Sequence, residues 1–119
     1  MTEQTIHNTT DHAAHFGAGD DGPGRVAIPA KGRTIVAPSP TYDAYAVMTL
    51  ESRETYRSNT VFLDNGSQTL TASVQSDNGV FILRIIATPG PFPNEIVLVN
   101  HCPEPVTFFI SPASAPSVA

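Results

Sequence analysis

Tryptophan is absent from the chain, lysine occurs once at Lys31, and cysteine occurs once at Cys102. A single cysteine excludes an intrachain disulfide, so the fold has to be held by its core. One lysine among six basic residues leaves no basic patch, which phosphate-backbone binding needs, so nucleic acid is not expected as a partner. No apolar run is long enough to span a bilayer, and no membrane partner is expected. The N-terminus MTEQTIHNTTDHAAH lacks the basic start and apolar stretch of a secretion signal, so synthesis in the cytoplasm is the default expectation. Charge is scarce as well. Only 14% of residues carry it, which is sparse for an exposed surface and compatible with one that something else covers.

Turn-forming and β-branched residues are plentiful. Eleven prolines and eight glycines are scattered along 119 residues, and threonine, valine and isoleucine fill the intervals. Long helices cannot survive that punctuation, and the intervals favour strands. The length suits one domain able to bury its own core. Of the net charge of −5, a share of −4 lies before Arg25, in Glu3, Asp11, Asp20 and Asp21. Residues 1–24 therefore read as a polar, acidic arm, poor in apolar groups beyond Ile6 and Phe16, that is disordered or laid across its own domain or a neighbour. Residues 25–111 read as the folded domain, and the Pro/Ala-rich residues 112–119 as an extended tail.

The expected fold is all-β, an antiparallel β-sandwich of about eight short strands with an extended N-terminal arm. Strands are expected at 25–28, 33–37, 45–51, 60–63, 69–75, 80–87, 96–100 and 106–110, with a helical turn at 52–58. The tripeptide Asp-Asn-Gly occurs at Asp64–Gly66 and again at Asp77–Gly79. Both are expected to be tight reversals, because Asn-Gly tolerates the positive φ that hairpin turns demand.

In a sandwich strand, apolar side chains should alternate between core and water. Thr69–Gln75 alternates, but Val80–Ala87 does not. Phe81, Leu83, Ile85 and Ala87 suit the core, while Val80, Ile82 and Ile86 occupy the other face beside Arg84. Ile96–Val99 is apolar on both faces, and Phe109 opposes the set of Val106, Phe108 and Ile110. If these second faces adjoin, Val80, Ile82, Arg84, Ile86 and Phe109 form a partner interface on a central strand. A cover from within the same chain is the competing account.

Other chemistry is weaker. His7, His12 and His15 with Asp11 offer imidazole and carboxylate for zinc or nickel but no framework to fix them, and no metal or cofactor is assigned. Asp20 and Asp21 in a glycine-rich loop could face calcium. His101 and Cys102 are strand neighbours pointing to opposite sides, which does not suit a nucleophile and its base. Glu51, Glu54 and Asp43 could pair for glycoside cleavage, although Arg53 and Arg57 stand beside them. No catalytic residue is assigned, and the chain is not read as an enzyme. Tyr42, Tyr45 and Tyr56 are candidates for a carbohydrate platform, the alternative being a sugar- or small-ligand-binding module.

The expected function is a structural or assembly protein that associates through its apolar sheet face, with Ile6 and Phe16 as arm contacts. Its partner is protein, either itself as a homo-oligomer or a larger assembly carrying many copies. A small acidic β-domain with an adhesive arm, few lysines and no secretion signal resembles, in kind, the capsid-decorating and minor structural proteins of tailed phages. That resemblance implies a virion component.

Overall fold

The computed structural model describes residues 3–17, 26–36, 39–64 and 66–112. Among these, eleven strands form a two-layered sandwich, consistent with the all-β expectation. The strands are β1 (Gln4–Asn8), β2 (Ala14–Phe16), β3 (Val26–Ile28), β4 (Arg33–Val36), β5 (Thr41–Thr49) and β6 (Thr55–Arg57). They continue with β7 (Val61–Asp64), β8 (Gln68–Asp77), β9 (Val80–Pro89), β10 (Glu95–Asn100) and β11 (Val106–Pro112). The first sheet has the order β4-β1-β10-β8-β9, and the second β3-β2-β11-β5-β6, with β7 also paired to β5. Both sheets are mixed rather than purely antiparallel: β1 with β10, β10 with β8, and β2 with β11 run parallel.

The parallel pairs arise because the N-terminal segment enters the sheets. Residues expected to be an appended arm supply β1, which lies between β4 and β10, and β2, which lies between β3 and β11. Ile6 and Phe16, expected as arm contacts on their own domain or a neighbour, are buried in the core of this domain. β1 and β2 behave as one bent strand that passes from the first sheet to the second, and β3 and β4 return alongside it in antiparallel register.

Polar groups build the bend. Asn8 Nδ2 donates to the carbonyls of His12 and Ile28, at 2.7 and 3.2 Å. Asn8 Oδ1 accepts from Thr10 N and Thr10 Oγ1, at 3.0 and 2.6 Å. At the far end of β1, Gln4 makes a paired contact with the Gly66 backbone, donating from Nε2 at 2.7 Å and accepting at Oε1 at 3.0 Å. Gln4 and Asn8 are fully buried and point the same way as Ile6, so β1 presents an inner face of Gln-Ile-Asn that only this bonding makes tolerable.

The two Asp-Asn-Gly turns differ. In the second, Asn78 and Gly79 have φ of 51° and 81°, and Asp77 is registered opposite Val80. This is the two-residue hairpin turn with positive φ at both central positions, and it joins β8 to β9. The first is not a hairpin. β7 belongs to the second sheet and β8 to the first, so the chain crosses between layers there. The expected helical turn at 52–58 holds β6 instead, registered against β5 at Val47–Thr49. Pro29–Gly32 is a turn, closed by Gly32 N donating to Pro29 O at 3.0 Å.

The core lies between the layers. β5 shows how it is built: Tyr42, Ala44, Ala46 and Met48 turn inward and are buried, while Asp43, Tyr45 and Val47 turn out. Against them pack Leu70, Ala72, Leu83, Ile85, Ile96 and Leu98 of the first sheet.

Candidate functional site

β9 is an edge strand, not the central strand its composition suggests, and among the described residues its only sheet neighbour is β8. Its outer face is uncovered: Val80 is 60% exposed, Ile82 45% and Ile86 55%, with Arg84 exposed between them. On the neighbouring strand, Gln75, Ser73 and Thr71 stand opposite Ile82, Arg84 and Ile86. The apolar surface is thus a stripe one strand wide. Val99 of β10 shares this face but is separated from Ile86 by Thr71. Phe109 does not join it. It lies on β11 in the second sheet, on the opposite outer face of the sandwich.

The backbone of β9 contributes as much as its side chains. In an antiparallel ladder, alternate residues of an edge strand aim both N–H and C=O away from the sheet. Asn59 identifies which ones: its Oδ1 accepts from Ile85 N at 2.9 Å, and its Nδ2 donates to Ile85 O at 3.1 Å. Ala72, opposite Ile85, uses its carbonyl to accept from His101 N on the far side, so the two residues do not bond each other. Phe81, Leu83 and Ala87 have the parity of Ile85. Their backbone groups point outward, and among the described residues none occupies them. Asn59 sits in the break between β6 and β7, where Ser58 bridges to Ala46 (Ala46 N to Ser58 Oγ, 2.8 Å), and it clips the flank of the sandwich to β9 at Ile85.

The outer face of the second sheet carries a different feature. His15, Phe109 and Tyr45 stand in one row across β2, β11 and β5, with ring centroids 5.4 and 5.0 Å apart and near-parallel planes. The Arg57 guanidinium lies 3.9 Å from the centre of the Tyr45 ring. The faces of these groups are turned on one another, whereas a sugar needs an open ring face. Tyr42, the second candidate for a glycan platform, is buried in the core, and Tyr56 packs edge-on against Phe81 at 6.3 Å.

The histidines are dispersed. His7 lies on the outer face of β1, where Nδ1 is 3.0 Å from Glu95 Oε1, while His15 faces out from the other sheet and His12 lies in the bend. No group of three metal-ligating side chains occurs among the described residues; Asp20 and Asp21 lie outside them. Asp43 lies near the start of β5 and Glu51 in the turn beyond its end, with about 20 Å of strand between Asp43 and Thr49, far beyond the spacing of a glycosidase pair. Tyr56 Oη donates to Glu54 at 3.1 Å, a bond that raises the phenol pKa. Cys102 lines a polar cleft of about 310 Å³ with Thr10, His12, Lys31 and Asn100. Burial pushes its thiol pKa up, opposite to what a nucleophile needs. A second cleft of about 310 Å³, mostly apolar, opens at the end of the sandwich between Met48, Leu50, Val74 and Phe81.

The chain matches no known family model, and no curated protein or solved structure matches it.

Proposed function

We propose that this protein is a non-enzymatic assembly component that docks onto protein through the exposed stripe of β9. One observation carries the reading: Val80, Ile82 and Ile86 stand exposed in a row on the outer face of an edge strand, with nothing over them among the described residues. Burying a side chain of this kind is worth about 1.5–3 kcal/mol when complete. Three half-exposed residues therefore reward a cover by a few kcal/mol, enough for a modest contact. Repeated copies on a larger particle would multiply it. A multi-copy protein of a virion, as in capsid decoration, is the setting we infer from the small acidic domain and its scarcity of lysine.

The apolar cleft at the end of the sandwich favours a second reading, a site for a small apolar ligand held between the sheets. Mass measurement in solution separates the two. Ile82→Asp is expected to leave the domain folded and to abolish assembly; an unchanged assembled mass would reject docking through β9.

A further inference from the structure

We infer that the partner of the β9 edge is a second copy of this chain, paired antiparallel about a twofold axis at Ile82. The inference rests on the docking reading and names its occupant.

Four features of the edge lead to it. First, β9 is ten residues long and nearly uncharged, with Arg84 its single charge, so its N-terminal half lacks the lysine, proline or bulge that normally blunts an open edge. The opposite edge of this sheet, β4, has only four residues. Second, the open backbone groups that form a continuous run are those of Phe81 and Leu83, since Ala87 lies beyond the Asn59 amide at Ile85. A partner strand laid further along meets the Asn59 amide, which already fills Ile85. A partner laid further back meets Gly79, which has φ of 81° in the hairpin turn and is not extended.

Third, one register uses the open groups of both residues in both copies: Phe81 opposite Leu83 of the second copy, and Leu83 opposite its Phe81. Each is a pair that exchanges two hydrogen bonds. Pairing Phe81 with itself, or Leu83 with itself, satisfies only one residue in each copy. Fourth, this register puts Ile82 against Ile82 on the axis and Arg84 against Val80, so the sole charge of the strand does not meet its own copy. The edge is thus self-complementary in hydrogen bonding, apolar contact and charge together, as an isologous interface has to be. Phe81, 45% exposed on the inner side of the overhanging hairpin, gains cover in the same step.

Single-cysteine variants test the register. In a Cys102→Ser background, a cysteine at position 82 would lie in a non-hydrogen-bonded pair with itself, at a Cα separation of about 4.5 Å that a disulfide accepts. Ile82→Cys is expected to give a disulfide-linked dimer on mild oxidation. Arg84→Cys alone is expected to give little, and an equal mixture of Arg84→Cys and Val80→Cys to give the mixed dimer. Light scattering of the native chain at two concentrations about a hundredfold apart should show the mass rising towards a dimer.

A native chain that stays monomeric at both concentrations overturns the pairing. So does Arg84→Cys linking to itself as readily as Ile82→Cys. An associated mass that Ile82→Asp abolishes, with the wrong cross-linking pattern, overturns this occupant and register but leaves docking through β9 standing. A mass that Ile82→Asp does not change removes both.

Discussion

β1 and β9 belong to the same sheet and invert what their compositions suggest. β1, QTIHN, is polar and lies between two strands with its inner face fully buried. β9, VFILRIIATP, is mostly apolar and lies at the rim with four of its six large apolar side chains exposed to water. The difference teaches that burial follows the number of bonds and contacts a strand can complete, not its mean hydropathy. Gln4 and Asn8 are tolerated inside because each polar atom meets a fixed backbone partner. Ile82 and Ile86 are outside because β8 fills one side of β9 and the core needs only its odd-numbered residues.

Isoleucine occurs in both regions, which allows the sharpest comparison. Ile6→Ala is expected to lower unfolding stability by about 2–5 kcal/mol, the ordinary cost of emptying a packed core site. Ile82→Ala should change the monomer by less than about 0.5 kcal/mol. Urea denaturation of dilute protein measures both. Comparable losses at the two positions would mean that the stripe on β9 is roofed within its own chain.

The same pair of strands shows what the sequence made legible. Alternation was plain in Thr69–Gln75, and the second Asp-Asn-Gly turn could be placed because two positive-φ residues between apolar runs have few other uses. The doubled apolar character of Val80–Ile86 was visible too, and it led to the exposed stripe. Its position at an edge was not visible, because strand order depends on long-range pairing that composition does not encode. The role of β1 was hidden for a different reason. Gln4 and Asn8 occupy core positions in a period-two pattern, but polar residues there register as solvent-facing until their partners at Gly66, Ile28 and Thr10 are known. Phe109 lies on the other outer surface for a related reason: a second apolar face says that a strand needs two covers, not which sheet it belongs to.

Asn59 is where the two regimes meet, since one amide both holds the flank of the sandwich and closes the β9 edge at Ile85. Asn59→Ala should therefore act in opposite directions on fold and association. Loss of two part-buried hydrogen bonds is expected to lower monomer stability by about 1–3 kcal/mol. The freed Ile85 groups lengthen the open edge and admit a register centred on Leu83, with Ile82 opposite Arg84 of the second copy. Association should rise, and Ile82→Cys should then link to Arg84→Cys as well as to itself. Denaturation and cross-linking read the two effects separately. A variant that is less stable and no more associated would show that Asn59 braces the flank without guarding the edge.

Cys102 gives the smallest effect and reports on the polar side of the comparison, where it lines the cleft beside Thr9 and Thr10. Burial raises its thiol pKa in the folded chain above the unfolded value. The folded state then holds the proton more tightly, so the stability contribution is complete below the unfolded thiol pKa, about 8.5, and falls as pH rises through the folded value. Native protein should lose slightly more stability than Cys102→Ser between neutral pH and mildly alkaline pH, measured as the shift in urea midpoint. The chemical counterpart compares the two strand environments directly. Alkylation of Cys102 should be slower in the folded chain than in urea, because less thiolate is present and access is reduced. A cysteine at position 82 in the Cys102→Ser background should react in dilute protein at the rate of an unfolded thiol. Equal folded-state rates at the two positions would mean that the bend beside β1 is as open to water as the rim at β9, and the contrast between them would be lost.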